Sequence, residues 1–248
     1  MIDRDARDGI SLKLNGLSSY AEYYLNNNLY FYDQPITELK GGSRVIVNGR
    51  EMGMFSSYSY LGLIGHPRIN RAAMDAIDRF GTGTHGVRLL AGTLPLHKEL
   101  EETIAEFKGA EAAITFTSGY VTNATVVAAL TGGGDYVYSD TLNHASIVDG
   151  CRLSRATSVR FDHNDMDHLE RLMAEAPAGS TRLVIADAVF SMDGDIVNLP
   201  RLADICGKYG AWLMIDEAHS IGVLGKTGKG IEEHFGMKDA VDIRMGTL

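Results

Sequence analysis

The sequence predicts an α/β fold, a mostly parallel sheet covered by helices on both faces. Two observations carry this. From residue 67 onward, segments whose apolar residues recur about every 3.6 positions alternate with short apolar runs. The joints between them are brief and rich in glycine. A chain of 248 residues is ample to bury the core that such a sheet needs.

Residues 1–55 read differently and are assigned to an N-terminal arm. The stretch 20–32 is rich in Tyr and Asn and has no clean period. Arg44-Val45-Ile46-Val47, Asn48-Gly49 and Arg50-Glu51-Met52 then read as a hairpin, because Asn-Gly supplies the two positive-φ residues of a type I′ turn. Residues 56–248 form the second region. Within it 67–80 reads as a helix, with Ile69, Ala73, Ala76, Ile77 and Phe80 on one face and Pro67 in the first turn. A helix over 96–108 aligns Leu96, Leu100, Ile104 and Phe107, with Gly109 just past its end. The apolar run 112–116 predicts a short buried strand. There follow helix 121–130, closed by Gly132-Gly133-Gly134, strand 135–139, helix 145–155, strand 158–161, helix 166–176, strand 182–190, helix 199–209, and strands 211–216 and 241–245. Such sheets bind ligands at the carboxyl ends of their strands, so the chemistry is expected just after them.

Composition excludes some roles. With 23 basic and 32 acidic side chains the net charge is −9, without the basic footprint of a nucleic-acid-binding surface. No apolar stretch is long enough to span a bilayer, and residues 1–8 lack the apolar segment of a secretory signal. The two cysteines, Cys151 and Cys206, form neither a closely spaced metal pattern nor a disulfide framework. A cytoplasmic protein is expected.

Two motifs fail on context. Gly81-Thr82-Gly83-Thr84-His85-Gly86 matches the dinucleotide fingerprint, but a helix precedes it where a strand is required. It reads as a structural or substrate-side loop. Gly225-Lys226-Thr227 lacks the first glycine of a P-loop, since Ser220 stands there, and reads as a flexible surface turn. The eight histidines show no metal-binding spacing, so no metal is expected.

Four segments beside predicted strands carry polar tips. In Met214-Ile215-Asp216-Glu217-Ala218-His219, an aspartate ends a buried strand, a costly placement unless it is paired. A protonated pyridine nitrogen is one such partner, and a carboxylate there keeps pyridoxal phosphate (PLP) an effective electron sink. His219 lies three residues on, in reach of the ring's phenolic oxygen. In Thr117-Ser118-Gly119-Tyr120, small residues open a helix, whose free N–H groups suit a phosphate cradled by Ser118, Gly119 and Tyr120. In Asp140-Thr141-Leu142-Asn143-His144-Ala145-Ser146, His144 is placed to stack on a flat ring and to act as acid or base. In Val189-Phe190-Ser191-Met192-Asp193-Gly194-Asp195, Ser191 can bond the cofactor, on a turn built by Asp193-Gly194. Each segment also has a purely structural reading as a cap or turn. Their weight lies in occurring together.

With Tyr58-Ser59-Tyr60-Leu61-Gly62 and the stretch 81–93, these motifs resemble the α-oxoamine synthases, a family of PLP-dependent enzymes, from about the hairpin to the last residue. The resemblance implies the large domain of a fold-type I PLP-dependent transferase and a homodimer with active sites at its interface. It also implies decarboxylative condensation of an amino acid with an acyl thioester. By matching positions it puts His144 on the ring, Asp216 on the pyridine nitrogen and His219 on the phenolic oxygen. Gly119, Tyr120 and Ser191 then line the cofactor site, and Thr247 lies near the phosphate. The stretch 81–93, with His85, approaches the partner's site. Tyr58 stands where several members have a substrate-contacting asparagine, and serine palmitoyltransferase-like members are similar to this chain at that point. The family's cofactor-holding lysine falls two residues past the position of Leu248, and Lys226, Lys229 and Lys238 do not match it. These 248 residues by themselves, without the family's small C-terminal domain, are therefore expected to be inactive. A non-catalytic member paired with a catalytic subunit and a PLP aminotransferase are the alternatives.

Overall fold

The computed structural model describes residues 8–29, 34–41, 43–177 and 179–248. Positions 1–7 of the N-terminal segment and 30–33 of the Tyr- and Asn-rich stretch lie outside the described residues. Clustering of the backbone divides the chain into two compact units, Met1–Arg79 and Phe80–Leu248.

The first unit opens with helix α1, Asp8–Asn26. The reading of 20–32 missed it. Its Ile10, Leu12, Leu14, Leu17, Tyr20 and Tyr23 are all exposed, so no buried face imposes a period on the sequence. Strands β1 (Ile36–Leu39), β2 (Arg44–Val47) and β3 (Arg50–Gly53) form an antiparallel sheet. β2 and β3 are the predicted hairpin: Asn48 and Gly49 have φ of 50° and 73°, and Val47 pairs with Arg50. Helix α2, Pro67–Phe80, matches its prediction but has no buried residue.

The second unit is built on a five-stranded parallel sheet of order β5-β4-β6-β7-β8. The strands are β4 (Tyr136–Asp140), β5 (Thr157–Phe161), β6 (Arg182–Asp187), β7 (Trp212–Asp216) and β8 (Ile243–Met245). Helices α3 (Pro95–Lys108), α4 (Gly119–Leu130), α5 (Ala145–Leu153), α6 (Met166–Ala174), α7 (Leu199–Tyr209) and α8 (Ile231–Phe235) accompany it. Strands β4, β6 and β7 are buried along most of their length, and successive side chains point to opposite faces of the sheet. Leu183, Ile185 and Met214 pack with Val127 of α4 and Ile147 and Cys151 of α5. Val184, Ala186, Leu213 and Ile215 pack with Leu169 of α6 and Leu202 and Ile205 of α7. The sheet is thus covered on both faces, each fully buried Leu or Ile contributing about 1.5–3 kcal/mol. Gly150 lets α5 approach α4, since a Cβ there would lie 2.9 Å from the backbone oxygen of Asn123. Strand order reverses between β4 and β6, which opens a crevice at their carboxyl ends.

Two expectations fail here. Residues 112–116 form no strand, and Ile114 is 71% exposed. A run of apolar residues becomes a strand only where a neighbour completes its ladder. Among the described residues β8 pairs with β7 alone, and 112–116 line a cavity of about 480 Å³ beside β8 instead. The turn at Gly225-Lys226-Thr227 is organised rather than flexible: Thr227 N–H, Thr227 Oγ1 and Lys229 N–H all donate to Glu233. The five-residue α8 was also unforeseen, being too short to display a period.

Candidate active site

Three neighbouring strands end in aspartate: Asp140 on β4, Asp187 on β6 and Asp216 on β7. All three are buried. Asp216 is held by two donors, the backbone N–H of Ala218 to Oδ1 at 2.9 Å and Asn123 Nδ2 to Oδ2 at 2.7 Å. Asp187 sits beside it in register. Burial, and then the charge of Asp216, push the Asp187 carboxyl up to about 7. Its Oδ2 accepts the backbone N–H of His144 at 3.1 Å.

His144 is the N-cap of α5, and its Nδ1 accepts the N–H of Ser146 at 3.2 Å. Asn143 fixes this turn from below, donating to Ile185 O at 2.8 Å and accepting from Asp187 N at 3.0 Å. The His144 ring lies edge-on to Tyr120, with centroids 6.3 Å apart. The Tyr120 hydroxyl donates to the Asp149 carboxylate.

Ser118 caps α4 by accepting Val121 N–H at 3.2 Å. The N–H groups of Gly119 and Tyr120, at the start of the helix, have no intrahelical acceptor. A Cβ on Gly119 would lie 2.7 Å from Thr247 Cγ2, so Thr247 and the α4 N-terminus are adjacent. The bare start of α4, two free N–H groups with hydroxyls alongside, is the kind of pocket that takes a phosphate.

Glu217, fully buried, anchors the turn between Asp216 and half-buried His219. It takes Lys108 Nζ at 2.7 Å, Ser220 Oγ at 2.8 Å and Ile231 N at 2.9 Å. Ser191 is exposed on the loop after β6, which is closed by the Val189–Ile196 bridge. His85 is exposed in the loop following α2, and Tyr58, in the first unit, is 91% exposed. The contacts therefore gather Ser118, Gly119, Tyr120, His144, Asp216 and Thr247, and give no bond that joins Ser191 or His85 to them. The 480 Å³ cavity meets this group only at Ser118, Gly119 and Thr247.

Asn123, Ser146 and Asp187 were missed by the sequence reading. Asp187 was passed over because the predicted strand ran to residue 190 and placed it inside the run, whereas the strand ends at Asp187 itself; nothing in the sequence marks Asn123. Among the described residues Asp162, Asp165 and His168 bring ligand atoms together as a metal site would. Asp165 caps α6 through His168 N at 2.8 Å, however, and His168 Nδ1 faces Asp162 Oδ2 at 3.0 Å, so local bonds account for all three.

A doubly wound parallel sheet with acids at its strand ends and a bare helix start fits the large domain of a fold-type I PLP-dependent transferase, and the similarities to known proteins show that it is one. The chain belongs to the aminotransferase class I and II family, whose model matches residues 51–248. It is 53% identical over 207 residues to the 8-amino-7-oxononanoate synthase of Geobacter sulfurreducens, covering 84% of this chain and 53% of that protein. It is 45% identical over 223 residues to the serine palmitoyltransferase of Sphingobacterium spiritivorum, covering 90% and 56%. A serine palmitoyltransferase from S. paucimobilis solved with bound PLP superposes with a TM-score of 0.91 at 33% identity, over 95% of this chain and 59% of that one. The resemblance to α-oxoamine synthases read from the motifs is matched by these relatives. The chain spans about half their length. Among the described residues no helix is long and apolar enough to cross a membrane.

Proposed function

We propose that the protein is a PLP-dependent acyltransferase of the α-oxoamine synthase type, condensing an amino acid with an acyl thioester as carbon dioxide leaves. It works as a cytoplasmic homodimer. Residues 56–248 belong to its cofactor-binding large domain, and 1–55 are an N-terminal arm and hairpin. The observation that carries the reading is Asp216, a buried carboxylate held by Asn123 and Ala218 N at the sheet's carboxyl edge.

PLP, when bound, supplies an electron sink for charge that develops on the amino acid. Asp216 holds a proton on the ring nitrogen, because a buried carboxylate favours a cation beside it. His144 lies against the ring and serves as acid or base. Ser118, the N–H groups of Gly119 and Tyr120, and Thr247 hold the phosphate. His219 bonds the ring's phenolic oxygen and Ser191 lines the cofactor site, while Tyr58 and His85 face the substrates.

The test is made on the intact protein loaded with PLP. A visible absorbance band that borohydride reduction fixes to one lysine is expected, together with release of an α-oxoamine from an amino acid and an acyl-CoA. Absence of the band overturns the reading. A labelled enzyme that only exchanges amino groups makes it an aminotransferase instead.

A further inference from the structure

Asn123 is an unusual residue for the interior of an apolar helix. It is fully buried on α4, against the carboxyl edge of the sheet. Its two amide hydrogens are both used: Nδ2 donates to Asp216 Oδ2 at 2.7 Å and to Ser146 Oγ at 2.9 Å. Its carbonyl Oδ1 is buried and without a partner. An unmet buried carbonyl is costly, and a leucine would fill the same space without that cost. The amide also cannot turn over, since that would set Oδ1 against the carboxylate.

The second bond continues to His144. Ser146 Oγ, accepting from Asn123, lies 2.7 Å from His144 Nδ1. That ring nitrogen already accepts the Ser146 backbone N–H. The Ser146 hydroxyl therefore donates to Nδ1, and a neutral His144 carries its proton on Nε2. One amide thus orients the carboxylate of Asp216 and, through Ser146, fixes the tautomer of His144.

We propose that Asn123 is a positioning residue of the cofactor site, whose side-chain amide sets the ring-nitrogen contact at Asp216 and the ring-face contact at His144 together. This rests on the PLP reading above. It assigns Asn123 no contact with substrate or cofactor, and predicts that it acts only through these two residues.

The test measures PLP affinity and the pH dependence of the bound-cofactor spectrum in the intact protein and in Asn123→Leu, Asp216→Asn and the double variant, with thermal stability followed separately. Asn123→Leu is expected to weaken PLP roughly tenfold or more, the worth of a hydrogen bond to a charged group, and to move the spectral pH midpoint. The double variant should lose no more than Asp216→Asn alone, because the two act as one unit. An Asn123→Leu protein with wild-type affinity and midpoint overturns the inference, as do losses that multiply independently or that follow the fall in stability. A wild type that binds no PLP removes the cofactor reading and this inference with it. A second measurement needs no variant to fold: imidazole 15N shifts of His144 in the unloaded protein should report Nε2–H. An Nδ1–H tautomer would contradict the chain of bonds.

Discussion

At Asp187 the cost of crowding charge at the strand ends is concentrated on one side chain. Its carboxyl is pushed up to about 7 by burial and then by Asp216, against about 3.9 in an unfolded chain. Between these values the folded protein holds a proton that the unfolded chain has released. Stability therefore falls as pH rises through the window, and stops falling above about 7. Asp187→Asn removes this loss. Urea denaturation at pH 5 and pH 7.5 should show the variant gaining on the wild type by up to a few kcal/mol at the higher pH. A constant difference would mean that Asp187 titrates normally. At this scale the sequence was only partly legible. Asp216 was chosen for its place at a strand end, and Asp187 occupies an equivalent place. That Asp187 has the perturbed carboxyl depends on which strand lies beside which.

Among the elements, the loop that carries Ser191 is linked by His163 to the end of β4. His163, after β5, faces Asp140 through Nδ1 at 3.0 Å and Asp195 through Nε2 at 2.9 Å, and its edge packs on Phe190 at 4.4 Å. Both nitrogens face acceptors, so both bonds exist only in the imidazolium. Burial lowers the His163 pKa, but the two carboxylates outweigh it and the net shift is upward. A raised histidine pKa contributes stability in full below about 6.5, and that contribution is lost as pH rises through the higher folded value. Above it Asp140, whose carboxylate is fully buried, keeps its bond, and the more exposed Asp195 is released. His163→Gln should therefore cost about 1 kcal/mol at pH 6, discounted for the exposure of Asp195, and much less at pH 9. Equal costs at both pH values, measured by thermal unfolding in matched buffers, would sink the clasp. The helices and strands that this loop joins were readable as periods, because β6 and α7 each bury a full face. The segment 112–116 was misread because its composition resembles a strand but no partner strand flanks it.

Across the whole molecule, much apolar surface is left open. α2 buries none of its residues, and Leu89, Leu90 and Met192 are exposed at 92%, 84% and 92%. Surface of this kind marks contact with other protein. Residues 1–248 alone should self-associate, with a light-scattering mass that grows with concentration. A monodisperse monomer with a single cooperative unfolding transition would contradict this.

The sequence by itself determined the order of helices and strands over most of 67–245, the hairpin turn at Asn48-Gly49, and the acid at the end of β7. Periodicity and turn chemistry are properties of neighbouring residues, and they survive without knowledge of the fold. Only the tertiary structure decided that β6 lies between β4 and β7, which sets Asp187 against Asp216 and brings the backbone N–H of His144 onto Asp187. The bonds from Asn123 to Asp216 and to Ser146 cross 93 and 23 positions of chain. No local pattern encodes such bonds, because they arise from the way packed helices and paired strands bring distant side chains into a space that water has left.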